Sequence, residues 1–301
     1  DLVRSRGLGD VYKRQAENIM ILIADGGSTK THWCVTGRHT DTRFFFTEGY
    51  NPYYITEKYL VTSLKESLIP GYDWDEVEEV HFYGAGCAED KYDFMRNALS
   101  KVFRHARIFI AMDLLAAARA LLGRNAGFAA ILGTGTNSCL YDGNRITHNI
   151  DSLGFILGDE GSGGYIGKKL VCDYIRGEMP DEVGSRFRET YGYTADELID
   201  RIYTQPMANR FCAGFCKFIT SDPTAHPYLM GIVRNAFEQL FEKLVCRYPA
   251  YETYSFNCIG SVAYYFQDIL AEVAEKYHMP LGRIVISPME GLVRYHTLTE
   301  N

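Results

Sequence analysis

The chain has 301 residues, 47% hydrophobic and 23% charged, with a formal net charge of −7. This describes a globular protein of one large or two modest domains, and the acidic balance without a basic block excludes a generic nucleic-acid binder. No apolar run is long enough to span a bilayer, no secretory pattern precedes the first strand, and the eight cysteines include no CxxC or Cys/His cluster, so reduced thiols in a cytoplasmic protein are expected.

Residues 1–15, "DLVRSRGLGDVYKRQ", lack periodicity and resemble a translated sequencing-adapter leader. They are read as non-native, with the native start at Met20 or a few residues earlier. Strand-like runs follow at Ile19–Ala24, His32–Thr36 and Arg43–Thr47, a three-stranded meander. A helix is expected over Thr56–Leu68, ended by Pro70-Gly71. Then come a strand (Glu79–Tyr83), a helix (Lys91–Phe103), a strand (Arg107–Met112) and a helix (Leu114–Leu122). Strands alternating with helices of this length predict a parallel sheet with helices on its faces.

The pattern then restarts. Phe128–Ile150 again reads strand, Gly/Thr turn, strand, turn, strand, and Gly26 falls on Gly133, 107 residues later. A long helix near Met230–Tyr248, a strand at Ser255–Ile259, a helix over Val262–His278, a strand at Arg283–Ser287 and a closing helix complete the chain. Two similar openings predict a duplicated α/β fold with a cleft between the halves.

Each opening has a glycine turn loaded with hydroxyls, "DGGSTK" and "GTGTNS". A plain hairpin accounts for either turn alone. Recurrence at matching places favours a phosphate cradle, in which successive N–H groups form a concave nest and Lys30 faces a β- or γ-phosphate. The turns match neither G-x-x-x-x-G-K-[ST] nor G-x-G-x-x-G. A third stretch, "LGFILGDEGSGGYIG", puts Asp159 and Glu160 before a helix; they serve either the helix N-terminus or substrate hydroxyls. "DEGSGG" lacks the spacing of a serine-hydrolase elbow. Asp113 ends a strand and opens a helix, so it is either an N-cap or a base facing the cleft. Cys212 and Cys216, one helical turn apart, read as small buried hydrophobes ahead of a metal site. The tyrosines of "NPYY" read as packing ahead of sugar stacking, and Phe237–Val245 as core, on a helix type that often carries dimer contacts.

Four motifs in order, "DGGSTKT", "LGTGTNS", "LGDEGSG" and "GSVAYYF", resemble the acetate-and-sugar-kinase, Hsp70 and actin superfamily, and within it the BadF/BadG/BcrA/BcrD-type ATPase and N-acetylglucosamine kinase group. The likeness spans nearly the whole chain after the leader. It implies two ribonuclease-H-like domains (duplicated βββαβαβα) with an interdomain nucleotide cleft, expected over 19–112 and 113–288, with the closing helix 289–301 a candidate to return to the first. It implies ATP and Mg²⁺ as cofactors. Asp25 would hold the metal through water, and Gly26, Gly27, Ser28, Thr29 and Lys30 would form the first phosphate loop. Gly133, Thr134, Gly135 and Thr136 would form the second, and Gly260, Ser261 and Val262 the adenosine motif. Asp113 would be the catalytic base, with Asn51, Asn137, Gly154 and Asp159 binding the sugar.

Three departures stand out: His32 where many relatives carry Asp, Phe155 where the N-acetylglucosamine kinases carry tryptophan, and a short chain that implies a trimmed second domain. The expectation is a cytoplasmic ATP-dependent kinase of an amino sugar, N-acetylglucosamine or a close relative, and a candidate homodimer. The alternatives are an ATPase that activates a partner enzyme, for which no cysteine pair is well placed to bridge an iron-sulfur cluster, and a non-catalytic sugar sensor, for which no helix-turn-helix is found.

Overall fold

A computed structural model describes residues 19–27, 30–37 and 40–297. The leader lies outside these residues, as do Ser28 and Thr29. The chain divides into two compact units, residues up to 123 together with 288 onward, and residues 124–287.

The first unit is built on strands β1 (Met20–Gly26), β2 (Lys30–Gly37), β3 (Thr40–Glu48), β4 (Val77–Gly84) and β5 (Arg107–Met112), in spatial order β3-β2-β1-β4-β5. β1, β2 and β3 pair antiparallel, while β4 and β5 extend the sheet in parallel from β1. One face buries Leu22, Ala24, Trp33, Val35, Phe45 and Phe82 against helices α1 (Glu57–Ser67) and α2 (Tyr92–Ser100). Successive side chains of a strand point to opposite faces, and the equally buried Ile23 and Cys34 take the other one. Helix α3 (Asp113–Leu122) lies across β1, β4 and β5, and a helix from far along the chain, Met289–Thr297, packs on α3, β1 and β2.

The second unit repeats the plan. β6 (Gly127–Leu132), β7 (Thr136–Tyr141), β8 (Ile146–Asn149), β9 (Phe256–Ile259) and β10 (Leu281–Val285) stand in the order β8-β7-β6-β9-β10. The first three are antiparallel and the last two parallel to β6. The duplication expected from the 107-residue offset is therefore present at the level of sheet topology.

Between β8 and β9 lies a helical insertion that includes α4 (Gly154–Leu157), α5 (Gly163–Arg176), α6 (Asp181–Tyr191), α7 (Ala195–Tyr203), α8 (Ala208–Gly214), α9 (Cys216–Thr220) and α10 (Pro227–Lys243). Phe128, Ala130 and Leu132 of the sheet bury against Ile166 and Leu170 of α5 and Val233, Phe237 and Leu240 of α10. The face around Phe237 is thus core.

Two elements differ from the sequence expectation. The helix expected over Val262–His278 is broken into α11 (Ser261–Tyr265) and α12 (Gln267–Lys276), because Phe266 leaves helical geometry at φ −114° and ψ 27°. α10 starts three residues earlier than expected. Pro227 fits the first turn, where no N–H is needed, and His226 caps it by accepting from the Tyr228 N–H. The last helix of the chain, Met289–Thr297, is α13.

Candidate active site

In the first unit the site residues gather at the carboxyl ends of the parallel strands. β-Register places Asp25 beside Tyr83, and Gly26 beside Gly84, which in turn lies beside Met112. Asp113, the next residue, therefore stands at the same end of the sheet as Asp25. Their proximity is electrostatic: burial, and then the Asp113 carboxylate, pushes Asp25 up to about 7. Asp113 itself is raised by burial, against the pull of its own N–H and that of Leu114, which its carboxylate accepts. Met112 holds the cap position of α3 and Asp113 is its first residue, so the acid works from inside the helix start. Neighbouring Cys87 is pushed up to about 12 by burial and by Asp113.

The remaining candidates of this unit are spread around that pair. Asn51 opens an Asx turn, its Oδ1 accepting from the Tyr53 N–H at 3.0 Å. Its amide packs on Gly86, where a Cβ would lie 2.8 Å from Oδ1. Asn51 is thereby fixed to the loop after β4, next to Cys87. Tyr54 is 79% exposed and Tyr53 carries the Lys91 ammonium 4.8 Å over its ring. The first glycine turn is closed by the Gly27 N–H donating to the Lys30 carbonyl at 3.0 Å, and the Gly26 carbonyl accepts from the Ala85 N–H at 2.7 Å. Lys30 turns to β3, its Nζ 3.4 Å above the Phe46 ring, on which His32 also stacks at 4.4 Å. Burial and the Lys30 charge lower the His32 pKa, so at the position opposite Asp25 in the β1–β2 ladder a neutral imidazole is favoured.

In the second unit a tighter frame surrounds the other glycine turn. The Thr136 N–H donates to Asp159 Oδ1 at 3.1 Å, and the Ser152 hydroxyl donates to the same oxygen at 3.0 Å. Thr136 Oγ1 donates to the Glu160 carbonyl at 2.7 Å. Burial raises the Asp159 pKa, and these donors oppose the rise. Asp159 is in the left-handed region at φ 59°, as are Leu153 and Gly154. The turn is sewn to α5 by Gly163 N–H donating to the Gly133 carbonyl and Gly164 N–H to the Thr134 carbonyl, at 2.8 and 3.0 Å. Among the described residues the N–H groups of Thr134 and Gly135 have no protein partner, which leaves a short nest of donors. Asn137 follows on β7, its Oδ1 accepting from Asn149 Nδ2 at 3.0 Å. Phe155, after Gly154 in α4, accepts from Lys168 Nζ through its carbonyl at 2.8 Å.

Gly260 brings the proposed adenosine motif to this turn. Its φ of +131° suits glycine alone, and a Cβ would lie 2.2 Å from the Leu132 carbonyl oxygen. Gly133, Thr134, Ser261 and Val262 consequently line one cavity of about 360 Å³, with Tyr265 and Phe266 on its wall. Sequence reasoning missed Arg210 and Lys217, which line the same cavity. The clue available was three glycines in the first turns of α5, a costly choice in a helix unless another backbone must come close.

The carboxylate pair suits a hydrated Mg²⁺, which takes one or two carboxylates and keeps its waters. Two acids raised by burial, Asp25 further by the Asp113 carboxylate, form a donor set that a divalent cation would relieve. Among the described residues no group of three or more His, Cys, Asp and Glu could enclose a metal. No described helix is long and apolar enough to cross a membrane.

No family model matches the sequence, and no curated protein matches it. Among solved structures the chain is similar to a candidate N-acetylglucosamine kinase from Porphyromonas gingivalis, with 40% identity and a TM-score of 0.87, over 92% of this chain and 98% of that one. A second candidate N-acetylglucosamine kinase, from Chromobacterium violaceum, aligns at 14% identity and TM-score 0.69 over 93% and 99% of the two chains. A ROK family glucokinase from Streptomyces griseus, solved with glucose and AMPPNP, aligns at 14% identity and TM-score 0.57 over 92% and 97%. The two remote likenesses speak to the fold. The near one, added to two ribonuclease-H-like units of identical strand order, places this chain in the N-acetylglucosamine kinase family of the acetate-and-sugar-kinase, Hsp70 and actin superfamily.

Proposed function

We propose that this sugar kinase transfers the γ-phosphoryl group of ATP to a hydroxyl of an amino sugar, N-acetylglucosamine or a close relative. The observation that carries the proposal is the coupled acid pair, Asp25 and Asp113, at the carboxyl ends of β1 and β5. Parallel strands end there, and α/β folds place chemistry at that edge.

In this reading Asp113 accepts the proton of the attacking hydroxyl as its oxygen bonds to the γ-phosphorus and the bond to the β-phosphate oxygen breaks, releasing ADP. Its raised pKa makes it a better base than an exposed aspartate. Asp25 would hold Mg²⁺, which would supply neutralisation of the phosphoryl charge. Gly26, Gly27, Ser28, Thr29 and Lys30 make one phosphate loop and Gly133 to Thr136 the other, with Gly260, Ser261 and Val262 against the adenosine. Asn51, Asn137, Gly154 and Asp159 are the sugar contacts. Support for the sugar class is the 40% identity to the Porphyromonas gingivalis protein.

The test is Asp113→Asn. Turnover, followed as sugar phosphate formed with N-acetylglucosamine and Mg·ATP, should fall by about 10²–10⁴ while calorimetric ADP affinity stays within about twofold. Turnover at the wild-type level would remove Asp113 as the base. ADP released without an equal amount of sugar phosphate would point to the activating ATPase instead.

A further inference from the structure

We propose that Arg210 binds the phosphate tail of the nucleotide and so makes the protein prefer nucleoside di- and triphosphates to the bare nucleoside. The inference rests on the nucleotide reading above and adds a residue to it.

Three features of the second unit point to Arg210. The first is position. Helix α8 lies so close on α5 that a Cβ on Gly167 would fall 1.8 Å from the Cys212 carbonyl oxygen, and one on Gly163 would fall 3.1 Å from Ala213 Cβ. Gly163 and Gly164 also donate to the carbonyls of Gly133 and Thr134. Turn, α5 and α8 are thus one frame, and Arg210 is set in it at a fixed place relative to the Thr134 and Gly135 N–H groups. The second is charge. Arg210 and Lys217 are the two charged residues lining the cavity, both cationic, and no acid lines it. The third is an unmet donor: Arg210 Nη2 is buried with no hydrogen-bond partner among the described residues.

A packing role accounts poorly for that nitrogen. Arg186 also has an unpartnered Nη2, but its Nη1 holds Asp222 at 2.8 Å and its guanidinium lies 4.9 Å from the Phe218 ring centre. Arg210 shows neither kind of tie among the described residues. A guanidinium fork matches two phosphate oxygens at once, whereas a planar base or a ribose offers no charge to meet it. The apolar wall of Val262, Tyr265 and Phe266 is the suitable surface for the base. Lys217 is exposed, and its ammonium keeps its water.

The experiment is isothermal calorimetry of the whole chain and of Arg210→Ala and Arg210→Lys with Mg·ADP and with adenosine. Arg210→Ala should weaken ADP by about 30-fold, the scale of a charge-assisted pair, and leave adenosine within about twofold. Arg210→Lys should recover only part of the loss, because a point charge replaces a fork. Equal loss for ADP and adenosine, or no loss for either, would overturn the assignment to phosphate. Wild-type protein that fails to bind ADP at all would bring down the nucleotide reading itself, and this inference with it.

Discussion

The two units carry the same five strands in the same order, and each has a glycine turn after its first strand, yet the described residues of the two turns are held very differently. In the first unit the described residues show one bond closing the turn, from Gly27 to Lys30, and a lysine resting on an edge-strand phenylalanine. In the second unit a buried acid, a serine, two helix-start amides and a glycine from β9's end all brace the turn. A braced nest costs little further ordering when an anion arrives, so the second unit's turn, if it holds phosphate as proposed, does so from a preset frame.

Gly260→Ala is the strongest way to break that contrast. The added methyl meets the Leu132 carbonyl at a backbone angle unsuited to alanine, so a loss of about 3 kcal/mol is expected. Hydrogen exchange should quicken across β6 and β9 and leave β1 to β5 unchanged; a uniform response would show that the brace is not local. Next comes Asp159→Ala, which strands the Thr136 N–H and the Ser152 hydroxyl at a cost of about 2 kcal/mol. Faster exchange confined to residues 133–136 is the expected readout, and unchanged exchange there would deny Asp159 its bracing role.

The smallest effect is pH-dependent and belongs to the helical insertion. Burial alone would raise Asp222, but the N–H of His226, the hydroxyl and N–H of Thr224 and the Arg186 guanidinium hold it well below the usual carboxylate range. A depressed folded-state pKa gives stability that is present above the unfolded value near 4 and is lost as pH falls. Wild type should therefore lose a few degrees of Tm more than Asp222→Asn on acidification from pH 5 to pH 2. Parallel losses in both proteins would refute the assignment.

Much of the sheet could be read in the sequence because short apolar runs are bounded by turn residues, and because Gly26 and Gly133 recur with similar flanks. The break at Phe266 could not, since the apolar pattern of residues 262–274 continues across it and only backbone geometry reveals the interruption. Asp113 reads as either cap or base for a physical reason: both roles want an acid at a helix start. Register sets it at the same strand end as Asp25, a place open to both. Arg210 is illegible in the sequence because its significance depends on α8 touching α5, as Gly167 meets Cys212 and Gly163 meets Ala213, residues far apart in the chain.

The last helix also bears on how the molecule is made. Gly291 of α13 fits against Ala120 of α3 so closely that a Cβ would lie 2.3 Å from the Ala120 carbonyl oxygen, and Met289 and Leu292 are buried in the described structure. The second unit is one unbroken stretch, 124–287, whereas the first must wait for a segment translated after it. On the ribosome, where domains fold as they emerge, the half synthesised first is accordingly the half finished last.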